Sequence, residues 1–283
     1  MTESTRPRPS LPPGADANRS GRCGVTVEVG GVAVRFDTDD ATLVAILSQR
    51  FRRFLESEVE PAFRFDITVV DAVAADIDAE LEVQGADGYW TMRRGDFRAE
   101  LNVAGGRGRI WQSLNPYAAD SILRIVHTLV LSTRGGFLLH ASSAIRNGRA
   151  FLFTGPSGAG KSTIVGLAPG DVKVLTDEIS YVRRSGDGYV AFGTPFAGER
   201  SDLGEPGCAP VAALFQLARG WDNQHMRLDE ATAVKTLMRN ILFFADDVSL
   251  VGAVLDTACD FASRVPAYTL SFAPDARVWS TIR

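Results

Sequence analysis

At 283 residues the chain is long enough to bury one large core or two modest ones, and we expect two domains. A composition of 45% hydrophobic and 23% charged residues excludes disorder throughout. The formal net charge of −4 offers no broad basic surface, so no nucleic-acid partner is expected. Cys23, Cys208 and Cys259 are widely spaced and form no C-x-x-C pair, which argues against a disulfide framework or zinc site and for a reducing, cytoplasmic setting.

Residues 1–22 are rich in Pro, Arg and Ser without an apolar run, and read as a mobile tail rather than a signal peptide. Val25–Val29 and Val32–Phe36 are β-branched runs joined by Gly30-Gly31, the pattern of a tight hairpin. Between Asp40 and Glu58 the residues Leu43, Leu47, Phe51, Phe54 and Leu55 recur at helical spacing up to Pro61, leaving Arg50, Arg52 and Arg53 to face solvent.

From Phe63 to Leu114 the pattern alternates, with Gly-Asp turns between runs at 63–69, 89–92, 97–103 and 110–114, which predicts an antiparallel sheet. Asn115-Pro116 reads as a helix start, and Ile122, Ile125, Val126, Leu129 and Val130 mark one face of a helix ending near Gly135. That helix is the expected boundary between an α+β N-terminal domain, 23–134, and a second domain, 135–283. The most apolar segment, Ser121 to Leu139, is interrupted by Arg124, His127 and Arg134, so no membrane span or membrane partner is expected.

Strands at 136–146 and 149–154 flank Asn147-Gly148, the strongest hairpin signal in the chain. A helix over about 160–167, strands at 172–176 and 179–183 and an α-rich end follow, with Val234, Leu237, Met238 and Ile241 forming one helical stripe.

Gly155-Pro156-Ser157-Gly158-Ala159-Gly160-Lys161-Ser162-Thr163 satisfies G-x-x-x-x-G-K-[ST] and falls between the apolar strand ending at Thr154 and a helical segment, the context that a phosphate loop needs. Its glycines allow successive N–H groups to turn toward phosphates at a helix N-terminus. Lys161 would reach the β- and γ-phosphates, and the Ser162 hydroxyl a magnesium ion. A nucleoside triphosphate with Mg2+ is therefore expected, and the loop does not separate ATP from GTP. Ser157 either touches phosphate or completes the turn.

Val172 to Glu178 is an apolar strand ending in Asp177-Glu178, too soon after Lys161 for the acidic strand of most motor and transporter ATPases. The N-K-x-D guanine signature is absent. With His140 before the loop, the stretch Leu138-Leu-His140, Gly155 to Ser162 and Leu175-Thr-Asp177-Glu178 resembles the catalytic domain of HPr kinase/phosphorylase. Leu139-His-Ala-Ser, Gly193-Thr-Pro-Phe and Val265-Pro-x-Tyr-x-Leu-x-Phe are similar to the HPr-kinase-like proteins encoded with peptide natural-product pathways, some of which phosphorylate a serine of a lasso-peptide precursor.

The resemblance implies an α/β fold, with an HPr-kinase/PEP-carboxykinase-like P-loop domain following a smaller α+β domain. It implies an ATP-dependent phosphotransferase acting on a hydroxyl, with a peptide or protein as acceptor. Asp177 would accept the hydroxyl proton, and Glu178, Ser162 and Glu199 would hold the metal. A cationic His140 would lie against phosphate or Asp177. The glycine-rich signature tied to reverse phosphorolysis is not recognisable at 199–205, so neither that activity nor HPr as substrate is implied. Arg200 and Arg239 read as arginine fingers or as surface residues, and His127 and His225 have no assigned role. A small-molecule hydroxyl kinase, a nucleotide-switched peptide-binding module and a homo-oligomer all remain compatible with the sequence.

Overall fold

The computed structural model describes residues 22–70, 79–196, 204–244 and 247–282. All but the last residue of the expected tail lies outside these, as do Glu199 and Arg200.

Strands β1 (Cys23–Val29) and β2 (Val32–Thr38) form the expected hairpin. Helix α1 (Ala41–Phe51) starts where the Asp40 carboxylate accepts the Leu43 N–H at 2.8 Å. It ends earlier than the apolar spacing suggests. Phe54 and Leu55 leave it to pair with the open edge of β1, where the Phe54 carbonyl accepts the Glu28 N–H at 3.0 Å and Leu55 bridges Val27.

Strands β3 (Phe63–Val69), β4 (Glu82–Ala86), β5 (Tyr89–Arg94), β6 (Phe97–Asn102) and β7 (Arg107–Gln112) complete a sheet ordered β1-β2-β3-β7-β6-β5-β4. The antiparallel expectation holds from β4 to β7 only. Strand β3 runs parallel to both β2 and β7, because α1 carries the chain back across the sheet so that Phe63 starts opposite Val34.

Helix α2 (Tyr117–Thr133) begins with the Asn115 side chain accepting the Tyr117 N–H at 2.8 Å. The expected single apolar face is instead burial nearly all round, from Ala118 through Ser132. One apolar cluster joins Phe36, Leu47 and Ile67 of the first sheet and α1 to Ile122, Leu123 and Val126 of α2, and continues into Leu138, Ile179, Tyr181 and Phe196. A helix apolar on every side belongs in the middle of a core.

The second sheet contains β8 (Gly136–Arg146), β9 (Arg149–Thr154), β10 (Lys173–Thr176), β11 (Ile179–Ser185), β12 (Gly188–Phe192), β13 (Cys208–Arg219), β14 (Gln224–Arg227), β15 (Ile241–Leu242) and β16 (Ala267–Phe272). Helices α3 (Lys161–Gly166), α4 (Glu230–Met238), α5 (Val248–Arg264) and α6 (Val278–Thr281) accompany it. The expected α-rich end begins only at Glu230, with α4, α5 and α6, and the sheet adds strands β12, β13 and β14 before it. The longest strand of the sheet, β13, is parallel to β9 on one side and to β16 on the other. Such a strand is buried on both faces and reads as an unbroken apolar run, which spacing cannot separate from a buried helix. Ile241, expected on the α4 stripe, lies in β15 and pairs with Leu139.

The chain is therefore mixed α/β with two sheets, and α2 packs against both. Among the described residues the three cysteines are free, and no helix is long and apolar enough to cross a membrane.

Candidate functional site

The site is organised by β8, which meets three chain segments at its middle. Strand β9 pairs with it from Arg146 back to Ala141, where Thr154 stands opposite, so the phosphate loop leaves the sheet beside that point. Strands β10 and β11 follow its other edge. After an irregularity between Val174 and Thr176, the register that sets Thr176 opposite Ser143 is continued by Ile179 opposite His140. Asp177 and Glu178 thus occupy the short break between two strands that share one course along β8. His140, the end of β9 and the acidic pair converge for this reason.

The glycines of the loop take conformations that other residues rarely adopt. Gly158 and Gly160 have φ of 73° and 104°, left-handed values open to glycine. A Cβ on Gly160 would also stand 2.8 Å from the Phe272 ring. Helix α3 covers only Lys161–Gly166. So short a helix has little dipole, and the turned backbone of the loop is what could offer N–H groups to an anion.

Lys161 is buried, and its Nζ donates to the carbonyls of Gly155 at 2.9 Å and Pro156 at 3.3 Å. Burial lowers its pKa, and Glu178 opposes that shift. The first turn of α3 is tied to β8 through the Ser142 hydroxyl, which donates to the Lys161 carbonyl at 3.0 Å. Ser162 is half-buried, while Pro156, Ser157 and Thr163 are exposed.

Asp177 is 2% exposed. Glu178 is half-buried, and burial raises its pKa. Arg124 lowers it, Asp120 and Asp177 raise it, and Arg50 lowers it. The break that carries both acids is braced by Thr194, whose hydroxyl donates to the Ile179 carbonyl at 2.6 Å and lies 3.3 Å from the Thr176 hydroxyl. This gives the Gly193-Thr-Pro-Phe phrase a structural role.

His140 is partly exposed. Its pKa is lowered by burial first, then by the charges of Lys161 and Arg124. Burial, and after it the two cations, disfavour the charged imidazole. Its backbone N–H donates to the Asn240 carbonyl at 2.7 Å, which anchors β8 to the end of α4.

Sequence reasoning missed a cationic chain entering the site from the N-terminal side. The Arg124 guanidinium lies 2.9 Å from Asp120 and 3.6 Å from Glu178, and it stacks over the Phe196 ring at 5.3 Å. Arg50 of α1 reaches the other Asp120 oxygen at 2.6 Å, and Arg53 donates to the Gly204 carbonyl at 2.9 Å. Arg50 is half-buried rather than facing solvent, whereas Arg52 and Arg53 are exposed, as expected. The one available signal for Arg124 was a charge inside an otherwise apolar helix, which sequence alone reads only as evidence against a membrane span.

The other expected residues lie apart or undescribed. Arg239 is exposed at the end of α4. His225 packs edge-on against Tyr268, with ring centres 5.0 Å apart. His127 is fully buried against Tyr181 and Phe196 and, among the described residues, has no hydrogen-bond partner at either nitrogen.

For magnesium, the Ser162 hydroxyl and the two carboxylates are hard oxygen donors. The ion usually takes one or two carboxylates, phosphate oxygens and water, so this set fits without a dedicated cage. Glu199 lies outside the described residues, and among those described no group of three or more His, Cys, Asp or Glu forms a ready metal cluster.

No curated protein sequence matches the chain. Among solved structures it is similar to the HPr(Ser) kinase/phosphatase from Coxiella burnetii, at 12% identity over 42% of this chain and 93% of that one, with a TM-score of 0.26. The family model described as SynChlorMet cassette protein ScmC matches residues 117–283. The match opens on the first residue of α2, so it takes in Asp120 and Arg124 together with the phosphate loop and the acidic pair. It covers more than half of the chain, which belongs to the ScmC family.

Proposed function

We propose that this protein is an ATP- and Mg2+-dependent kinase that transfers the γ-phosphoryl group to a hydroxyl, a serine of a peptide or protein substrate. The observation that carries the reading is the meeting of the phosphate loop, the buried Asp177 and His140 at the middle of β8. A pure ATP-binding switch needs the loop; it does not need a buried carboxylate beside it.

In this reading the loop N–H groups and Lys161 hold the β- and γ-phosphates. Asp177 accepts the proton as the acceptor oxygen bonds to the γ-phosphorus, and the bond to the bridging oxygen breaks to release ADP. Magnesium held by Ser162 and Glu178 would neutralise charge on the phosphates. Lys161 is released from the Gly155 and Pro156 carbonyls when phosphate takes their place. His140 would hydrogen-bond near the transferred group. The resemblance to the lasso-peptide precursor kinases suggests a ribosomal natural-product precursor as the acceptor.

The test is transfer of label from γ-labelled ATP to the precursor peptide encoded beside the gene. We expect Asp177→Asn to cut the turnover number by about 100- to 10,000-fold while ATP binding persists. Tight nucleotide binding with no transfer to any peptide or small alcohol would sink the proposal.

A further inference from the structure

Strands β9, β13 and β16 run parallel as neighbours, so the turns after them, at 155–160, 220–223 and 273–277, emerge on one side of the sheet. Ligands of parallel sheets bind outside such carboxyl ends. Between these turns lies a cavity of about 440 Å³, within the roughly 300–1,000 Å³ usual for small-molecule sites. Gly158, Gly160 and Thr163 line one side, and Trp221, Phe272 and Pro274 the other. Asp177, Glu178 and His140 do not line it.

Trp221 is 96% exposed, the largest apolar side chain left in water among the described residues. It does not ride on a loose loop. A Cβ on Gly220 would lie 1.7 Å from the Ser271 hydroxyl, so glycine lets this turn press against β16. The Asn223 side chain accepts the Ala273 N–H at 3.1 Å, which joins the turn after β13 to the turn after β16. Arg219 donates to the Gly158 carbonyl at 3.1 and 3.3 Å and ties the same turn to the phosphate loop. The indole is thus held out over a cavity that shares its wall with the loop.

We propose that this cavity is the nucleobase site, with the base stacked on Trp221 and the phosphates running from it along the loop toward Lys161. This rests on the nucleotide reading above and adds to it the position and chemistry of the base. The lining is mostly apolar and aromatic, so the base is held by stacking more than by reading its edge.

The experiment compares the dissociation constants of ATP and of inorganic tripolyphosphate for the wild type, Trp221→Ala and Trp221→Phe. Trp221→Ala should weaken ATP by about tenfold or more, Trp221→Phe should recover most of the loss, and tripolyphosphate should bind all three proteins alike. Unchanged ATP affinity in Trp221→Ala, or an equal loss for ATP and tripolyphosphate, overturns the proposal. A wild type that binds tripolyphosphate as tightly as ATP overturns it while leaving the phosphate loop intact; a wild type that binds neither overturns both.

Discussion

His127 shows how far one side chain can depart from its usual chemistry in a core. Burial pushes its pKa down to about 3, from 6.5, with no hydrogen-bond partner among the described residues to offset the loss of water. The folded protein therefore refuses a proton that the unfolded chain accepts. Stability is complete above about pH 6.5 and is lost as pH falls toward 3. At pH 5 the deficit is roughly 2 kcal/mol. His127→Leu should remove that slope, so urea denaturation at pH 7 and pH 5 should show a smaller fall in stability than the wild type. An equal fall in both would mean that other groups govern acid unfolding.

Among the elements, the break between β10 and β11 is the one on which the proposed chemistry depends. Its acids are positioned by Thr194, a residue on a different segment, through buried hydroxyl contacts. Thr194→Val keeps the shape and removes the donor, leaving the Ile179 carbonyl without it, at a cost of about 1–3 kcal/mol. We expect lower thermal stability and slower phosphoryl transfer with ATP affinity held, since the loop is anchored separately through Ser142. Weakened ATP binding with unchanged turnover would contradict this.

What could be read from sequence divides along the same line. The hairpins at Gly30-Gly31 and Asn147-Gly148 are local, and each is written in adjacent residues. Parallel pairing is not: nothing near Phe63 says that α1 will return it beside Val34, and nothing in the apolar run of β13 says strand. The ion pair of Arg124 was not legible because its partner Glu178 is remote in sequence.

At the scale of the whole molecule, the first sheet, α2 and the edge of the second sheet share one core, and the acidic end of the site is reached through it. Glu178 is raised by burial and held down by Arg124 of α2. Removing that cation should raise Glu178 further, so the carboxylate takes a proton at a higher pH. Arg124→Gln is thus expected to move the acid limb of the pH–rate profile upward and to lower turnover at neutral pH. An acid limb that does not move would separate α2 from the chemistry.

The parallel pairing of β9 with β13 also bears on how the protein is made. Ala150 meets Val211, and Leu217 meets Leu270, only after the intervening strands have been laid down. Contacts this far apart along the chain close late and slowly. The strand that carries the phosphate loop gains its second neighbour near the end of folding, and a growing chain on the ribosome has the loop's sequence long before it has the support that shapes it. Nucleotide affinity would then serve as a reporter of completed folding, appearing in refolding experiments after most of the secondary structure has formed.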